Sequence, residues 1–341
     1  MALTEHEQHI LDSIVIASDN DPRNPEFPAD NPKFPASETY QITVPGFENV
    51  WLKDEGTNPT GTHKDRMAWE IIVSYRQYLL SKKKGIITEL PTMSLISSGS
   101  AALAIQTQLK RYGLPPLRVL LDYSIDTHIV QSLDAIGCVT FFTDLSKKPL
   151  SSEEILSLTN NIAGIDITSD ETLDPDTRFY DWLAYEIINS SPDYCFIPFG
   201  TGALYENILN VSKKEIAVSK HDPRFDGDVA RLMNCNFLGA TTNNPHSTAT
   251  KLYSPHLPFS HYNEKWLQTY KDRGFCGKES NVYAVGETFI KKAQEIIAGQ
   301  ERIIKVEPSA VAGLALMLQM QDQLPRDTKM LIVSTGCTKL I

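Results

Sequence analysis

Residues 53–66 carry the strongest chemical signal in the chain, because a lysine there follows a tight turn. The segment reads KDEGTNPTGTHKDR; Gly56, Asn58 and Gly61 favour a turn, and Lys64 begins an amphipathic helix. The N–H groups at a helix N-terminus lower the pKa of a nearby amine and attract phosphate. Such an amine is a nucleophile that can form Schiff bases. By itself Lys64 fits an ordinary surface lysine better, so other segments must decide its role.

The same segment partly matches a nucleotide-binding P-loop, so this alternative needs testing. Gly56 and Gly61 have the P-loop spacing. The motif also requires Lys and then Ser or Thr directly after the second glycine, whereas Thr62 and His63 follow Gly61. We therefore reject a P-loop.

Three further segments of small and hydroxyl residues follow predicted strands. The first has the size and donors to bind a carboxylate, and the second could cradle a phosphate. The third ends the last strand, where α/β sheets commonly bind ligands. The segments are Ser97, Ser98, Gly99, Ser100 and Ala101; Gly200, Thr201, Gly202, Ala203 and Leu204; and Ser334 and Thr335. Each alone is also compatible with an ordinary turn, and Tyr205 excludes a Rossmann fingerprint in the second.

Strand and helix patterns alternate along the chain, which predicts an α/β fold with parallel sheets. We predict an N-terminal arm at 1–35, a small mobile domain at 58–165, and a large cofactor-binding domain formed by 36–57 and 166–341. Residues 241–283 have no clear pattern. The predicted strands are 93–97, 117–122, 138–144, 193–199 and 329–336, and the predicted helices are 64–80, 101–113, 127–137, 151–161, 178–190, 204–218 and 309–321.

Composition limits the classes of function. The chain has 341 residues and a formal net charge of −10, which argues against nucleic-acid or anionic-membrane partners. No apolar run approaches membrane-spanning length, and no signal peptide is apparent. The five cysteines are scattered and do not have zinc spacing. These features favour a reduced, cytoplasmic protein without a metal site.

Together and in this order, the segments resemble the fold-type II pyridoxal-phosphate enzymes of the tryptophan synthase β type. Threonine synthase has the most similar pattern: its Lys-x-Glu-x-x-Asn-Pro-Thr-Gly-Ser-x-Lys-Asp-Arg motif matches residues 53–66, with Thr62 in place of Ser. The His63-Lys64 pair resembles the tryptophan synthase β subunit instead. Residues 306–310 resemble the family's Glu-Pro-x-Ser-Ala element. The closing segment 334–339 resembles Thr-Gly-x-Gly-x-Lys, and the whole resemblance covers about residues 50–341.

The resemblance implies a role for each segment. Lys64 would form the Schiff base with pyridoxal 5'-phosphate, and His63 would lie beside the cofactor. Residues Ser97 to Ala101 would face the substrate carboxylate, and Gly200 to Leu204 would hold the cofactor phosphate. Thr335, or in second place Ser334, would contact the ring nitrogen. The family usually has Asn, which contacts the ring hydroxyl, where this chain has Ser100.

The implied activity is a lyase or synthase that eliminates or replaces a substituent at Cβ or Cγ of an amino acid, as in threonine synthase. Serine or threonine dehydration and cysteine-synthase-like replacement are alternatives within the family. A pseudoenzyme that serves as a binding module is an alternative of another class, suggested by Ser100 and the phosphate loop's low glycine content. The resemblance also implies a homodimer and a small amino-acid substrate.

Overall fold

The structure, a computed structural model, describes residues 3–14, 36–148, 150–168, 179–253 and 281–340. Most of the predicted arm, and residues 254–280 of the unclassified segment, lie outside the described residues. Within the arm, helix α1 spans Glu5–Ser13 and begins with a capping box between Thr4 and Glu7. Its residues Ile10 and Leu11 are buried in the main core.

A four-stranded parallel sheet contains the strands in the order β5-β4-β3-β6. Its helices α3 and α4 end at Gly113 and Gly137, as predicted, and both glycines have positive φ angles (64° and 96°) that favour glycine. The strands are β3 (Met93–Ile96), β4 (Arg118–Asp122), β5 (Val139–Thr143) and β6 (Ile165–Asp166), and the helices are α3 (Ser100–Tyr112), α4 (Thr127–Ile136) and α5 (Ser152–Leu158).

A six-stranded sheet has the order β1-β2-β10-β7-β8-β9 and is parallel except for the β1–β2 pair. Its strands are β1 (Glu38–Gln41), β2 (Val50–Asp54), β7 (Tyr194–Pro198), β8 (Asn236–Thr241), β9 (Val282–Ala284) and β10 (Met330–Ser334). The remaining helices are α2 (Lys64–Lys83), α6 (Asp181–Asn189), α7 (Ala203–Ala217), α8 (Val229–Asn234), α9 (Glu287–Ala298) and α10 (Ala312–Gln319), with 3-10 turns at Glu55–Thr57, Thr250–Leu252 and Pro308–Val311.

The six-stranded sheet has a separate apolar layer on each face. Leu331 and Val333 of β10 pack in the core that contains α2, α3, α6 and α7. Met330 and Ile332 point the other way, into the core that contains α9 and α10. Because the first core also contains Leu103 of α3, it joins the two sheets.

These observations confirm the predicted fold class, an α/β architecture with two parallel-sheet units. The four-stranded sheet lies almost entirely within the predicted small domain of 58–165, but the exact domain boundaries stay a prediction. No helix in the described ranges is long and apolar enough to cross a bilayer.

Candidate active site

Parallel strand order brings the predicted segments to one edge of the six-stranded sheet. Strands β2, β10 and β7 are neighbours. The lysine loop (residues 55–63) follows β2, residues 335–339 follow β10, and residues 200–204 follow β7. Since parallel strands end at the same edge, these three segments share it. The Ser97–Ala101 turn follows β3 of the other sheet.

Hydrogen bonds fold the lysine loop (residues 55–63) onto itself. Asn58 Nδ2 donates to Glu55 Oε2 at 2.6 Å and to the Thr62 carbonyl at 3.1 Å. Thr60 donates from both its backbone N–H and its hydroxyl to Asp65 Oδ2, at 3.0 and 2.9 Å. The loop thereby fixes the start of α2, where Lys64 lies.

The lysine loop also pairs with the chain's closing segment, residues 335–339. Thr62 and Gly336 form an antiparallel bridge, and the Cys337 N–H donates to the Gly61 carbonyl at 2.8 Å. The Lys339 N–H donates to the Thr60 carbonyl at 3.0 Å. Two motifs that lie about 270 residues apart in the sequence are therefore directly bonded.

Lys64 makes its side-chain contact with Tyr180, which sequence analysis did not select. Lys64 Nζ donates to Tyr180 Oη at 2.8 Å and lies 5.5 Å from the ring centroid. The His63 ring lies 5.3 Å from the same ring, centroid to centroid. Burial, aided by the charge of Lys64, lowers the pKa of His63 to about 3. The imidazole beside Lys64 is therefore neutral at physiological pH.

Buried ion pairs connect the start of the lysine loop to α2 and α6. Arg66 bonds Glu55 at 3.2 Å and Glu186 at 2.9 Å, and Lys53 bonds Glu186 at 2.5 Å. Burial raises the pKa of Glu55, but the charges of Arg66 and Lys53 outweigh it and hold that pKa below its usual value. Each buried charge therefore has an opposite partner, which ties β2 and α2 to α6.

The Ser97–Ala101 turn opens helix α3 with donors available to a ligand. Ser97 Oγ accepts from the Gly99 N–H at 3.0 Å, and Gly99 has a φ angle of +118°. Among the described residues, the N–H groups of Ser100 and Ala101 have no hydrogen-bond partner. Ser98 is exposed. The turn therefore presents helix N-terminal donors of the kind that bind a carboxylate.

The Gly200–Leu204 segment, which we call the phosphate loop after its expected ligand, likewise presents N–H donors at the start of α7. Gly202 caps the helix with a φ angle of +89°, which favours glycine. No partner among the described residues accepts from the N–H groups of Thr201, Gly202, Ala203 or Leu204. A β-carbon at Gly200 would lie 3.1 Å from the Lys251 carbonyl oxygen, so the loop adjoins Lys251.

Ser334 and Thr335 differ in their surroundings at the end of β10. Ser334 Oγ is buried and lacks a hydrogen-bond partner in the described structure. The Thr335 carbonyl accepts from the His63 N–H at 3.3 Å. Thr335, just past the end of β10, therefore lies beside the residue that precedes Lys64.

Lys251 is a second residue that sequence analysis missed, because it lies in the unclassified segment 241–283. Its Nζ donates to Ser100 Oγ at 2.7 Å and to Thr338 Oγ1 at 2.9 Å. It also pairs with Glu307 Oε2 at 2.6 Å. Through these contacts the Ser97–Ala101 turn, the Gly200–Leu204 loop and the closing segment adjoin one another, so all four predicted segments lie together.

Two parallel-sheet units, with a lysine at a helix start on the sheet's carboxyl edge, define the class of fold-type II pyridoxal-phosphate enzymes. The chain belongs to the family "Pyridoxal-phosphate dependent enzyme", whose model matches residues 38–336. Pyridoxal 5'-phosphate is the cofactor of this family, which confirms the predicted cofactor.

Three individual proteins similar to this chain are distant from it in sequence. A threonine synthase from Synechocystis sp. is 22% identical over 296 residues, covering 84% of this chain and 71% of its own length. The crystal structure of O-ureido-L-serine synthase superposes with a TM-score of 0.63 at 16% identity, covering 96% of this chain and 90% of the other. That of an O-acetylserine-dependent cystathionine β-synthase from Helicobacter pylori has the same TM-score and identity, covering 89% and 93%. At this identity the two structures support the fold.

The residues present fit the cofactor. The unpartnered N–H groups of residues 201–204 match a phosphate, and the Lys64 amine lies at the same sheet edge. The buried Ser334 hydroxyl without a partner shows that a polar atom at this edge is left unsatisfied by the described residues.

Proposed function

We propose that the protein eliminates or replaces a substituent at Cβ or Cγ of an amino acid, in the manner of threonine synthase. The observation that carries the proposal is the Lys64 amine, held 2.8 Å from the Tyr180 hydroxyl at the start of α2. The similarity to a threonine synthase supports this reaction over others of the family.

Lys64 would hold the cofactor covalently and, once released, take the proton from the substrate's Cα as a general base. The bound cofactor supplies an acceptor for the electrons left on Cα. Tyr180 Oη would then orient the Lys64 amine, since it already accepts a hydrogen bond from it. His63, neutral because of its lowered pKa, would add no charge beside that amine.

The residue that contacts the cofactor's ring nitrogen influences which type of reaction is favoured. The residues at the end of β10 are Ser334 and Thr335, and we propose Thr335 for this role, with Ser334 in second place. A hydroxyl does not stabilise a protonated ring nitrogen as a carboxylate would. That environment favours prompt loss of a β- or γ-substituent over transamination.

The other two segments would fix the ligands. The Thr201–Leu204 N–H groups would bind the cofactor phosphate, and those of Ser100 and Ala101 would bind the substrate carboxylate. Both segments begin helices, so the positive helix ends add to the attraction.

A second candidate function is β-replacement or dehydration of serine, threonine or an activated serine. The observation that favours it is the fold shared with O-ureido-L-serine synthase and cystathionine β-synthase. A pseudoenzyme is the candidate of another class, because the Ser100 hydroxyl is already bonded to Lys251 and Thr338. Intact Lys64 and its Tyr180 contact favour an enzyme.

Absorbance and mass spectrometry test the proposal. The purified protein should show a visible band that borohydride abolishes, and the reduced cofactor should be found on the peptide that contains Lys64. Lys64→Ala should lose the band, while Lys292→Ala, on the exposed face of α9, should keep it. A protein that stays colourless when the cofactor is added would refute the enzyme proposal.

Product analysis separates the two reaction candidates. Phosphate release from O-phosphohomoserine supports the threonine-synthase-like reaction. Keto-acid release from serine without phosphate release from O-phosphohomoserine supports dehydration and rules out the first choice. We further propose a homodimer in the cytoplasm, which light scattering and cell fractionation would test.

A further inference from the structure

An ion pair beside the Ser97–Ala101 turn has no part in the roles proposed so far. Lys251 Nζ lies 2.6 Å from Glu307 Oε2. The same ammonium donates to Ser100 Oγ at 2.7 Å and to Thr338 Oγ1 at 2.9 Å. We call these four residues the Lys251 cluster.

One of the two hydroxyl groups in the cluster has an O–H without an acceptor among the described residues. Ser100 Oγ and Thr338 Oγ1 lie 2.8 Å apart, so one of them donates to the other. Each hydroxyl has a single hydrogen, and both oxygens accept from the ammonium. No other acceptor among the described residues bonds either hydroxyl. The cluster therefore has one O–H free for an added acceptor. The three N–H groups of the ammonium are all used, so it can bind an added acceptor only by releasing one of its present partners.

The cluster adjoins both ends of the proposed active site. The Lys251 carbonyl lies 3.1 Å from the position of a β-carbon on Gly200 in the phosphate loop. Ser100 belongs to the turn proposed for the substrate carboxylate. The charge of Lys251 also contributes to lowering the pKa of His63, after burial and the charge of Lys64. Lys251 is therefore within electrostatic reach of the residue next to Lys64.

The ion pair is partly removed from water and still open to a ligand, since the Lys251 side chain is 29% exposed and that of Glu307 20% exposed. Drawing two charges partly out of water carries a desolvation cost, and a substrate with a neutral side chain would gain less from the ammonium than an anionic one. An anionic group could replace the Glu307 carboxylate as the partner of the ammonium, provided that the partly exposed Glu307 turns to water.

We propose that Lys251 determines substrate specificity by binding a negatively charged group on the side chain of the amino-acid substrate, in exchange for Glu307. The inference rests on the proposed function, since it requires that the site binds an amino acid. A phosphate or a carboxylate supplies the acceptors that the ammonium and the hydroxyls of Ser100 and Thr338 require.

Two other roles for Lys251 make different predictions. If Lys251 bound the α-carboxylate, which every amino acid carries, its loss would weaken the binding of all amino acids equally. If it served only to connect the two sheet units, its loss would lower stability without changing the preference among ligands. Matched pairs of ligands, equal except for the side-chain charge, distinguish these outcomes.

The experiment titrates the holoenzyme with such pairs and follows the cofactor's absorbance to obtain Kd. The pairs are O-phospho-L-serine with L-serine, O-phospho-L-homoserine with L-homoserine, and L-aspartate with L-asparagine. We expect the anionic member of at least one pair to bind about tenfold more tightly, as a charge-assisted contact would provide. The phosphate and carboxylate pairs show which anion the site prefers.

Variants of the ion pair should act in opposite directions. Lys251→Gln should reduce the preference for the anionic member to about twofold or less, and Lys251→Arg should keep most of it. Glu307→Gln should strengthen binding of the anionic member by about threefold or more, because the competing carboxylate is gone. Lys292→Gln, an equal loss of charge on the exposed face of α9, should match the wild type.

No preference in the wild type, or a preference that survives Lys251→Gln, would overturn the inference. If Lys251→Gln does not fold, the Glu307→Gln variant provides the test instead. If that variant binds the anionic ligands no more tightly than the wild type, the proposed exchange of Glu307 for the substrate anion is refuted. If neutral amino acids change the absorbance but anionic ones bind no more tightly, the inference about Lys251 is refuted and the proposed function is not. Absence of any change with any amino acid would refute the proposed function as well.

Discussion

The side chain of Lys64 donates a hydrogen bond of 2.8 Å to the hydroxyl of Tyr180, which is almost fully buried. The two residues lie 116 positions apart, and Tyr180 directly precedes α6. The backbone N–H of Tyr180 donates to Asn207 Oδ1 at 3.1 Å, so α7 holds the tyrosine in place. The amine therefore meets a hydroxyl whose residue is also held by α7, outside the lysine loop.

Tyr180→Phe keeps the ring that packs against His63 and removes only the hydroxyl. We expect turnover to fall by about ten- to a hundredfold, less than the roughly 10²–10⁴-fold that a proton-transferring group itself contributes, because Tyr180 only orients the amine. The visible cofactor band should remain. Steady-state kinetics and absorbance spectra of the purified variant provide the two measurements.

Tyr75→Phe is the matched control, because it removes a buried tyrosine hydroxyl that donates to the Pro91 carbonyl at 2.7 Å, outside the proposed site. It should cost about 1 kcal/mol of unfolding free energy and leave turnover unchanged. Equal losses of turnover in both variants would argue against a role for Tyr180 in positioning the amine.

Gly336→Ala should separate the closing segment from the lysine loop. Gly336 has a φ angle of +90°, and a β-carbon there would lie 2.1 Å from the Gly61 carbonyl oxygen. We expect a loss of about 2–4 kcal/mol in unfolding free energy and weaker cofactor binding, because the backbone must shift. Urea unfolding and cofactor titration measure these effects. Gly299→Ala, at an exposed helix end with a φ angle of −84°, should change neither quantity appreciably.

Replacing the two hydroxyls at the end of β10 tests which one contacts the cofactor ring. We expect Thr335→Val to shift the visible absorbance maximum and weaken cofactor binding about tenfold, because a hydrogen bond to the ring nitrogen is lost. Ser334→Ala should stabilise the cofactor-free protein by about 1 kcal/mol, because its buried hydroxyl lacks a partner. The opposite pattern of spectra would assign the ring contact to Ser334.

Asp65 should make folding stability depend on pH. Burial raises its pKa to about 6, although hydrogen bonds from Thr60 oppose the change. Because the folded state binds this proton more tightly than the unfolded chain, the contribution of Asp65 to stability falls as pH rises from about 4 to about 6. Below that range both states are protonated, and above it the loss is complete.

Asp65→Asn removes this titration. We expect its unfolding free energy, relative to the wild type, to rise by up to about 3 kcal/mol between pH 4 and pH 7, given about 1.4 kcal/mol for each pKa unit. Denaturant unfolding at several pH values gives the difference directly. A difference that does not vary with pH would show that Asp65 has an ordinary pKa in the folded protein.

Several elements could be predicted from the sequence because their signals are local. Helix α2 begins at Lys64 and the helices α3 and α4 end at Gly113 and Gly137, as the pattern of apolar residues and glycines indicated. Strands β1 and β9 were not predicted. Both are short strands at the edges of the six-stranded sheet, so periodicity over so few residues gives little signal.

Helix α9 and strand β8 were also missed, although each has a recognisable pattern. Helix α9 has its buried residues Ile290, Ala293 and Ile297 at helical spacing. Strand β8 is a continuous buried run from Phe237 to Thr241. Both signals are therefore local ones, carried by the residues of the elements themselves.

The lysine motif, three candidate ligand-binding segments and the parallel α/β fold could be recognised in the sequence alone, because turn residues and apolar periodicity are local properties. The contact of Tyr180 with Lys64, and those of Lys251 with Ser100, Thr338 and Glu307, are visible only in the folded chain. These contacts depend on strand order, which brings β2, β10, β7 and β8 together. A tyrosine before one helix and a lysine in an irregular segment have no local signal, and acquire a role from what the fold places beside them.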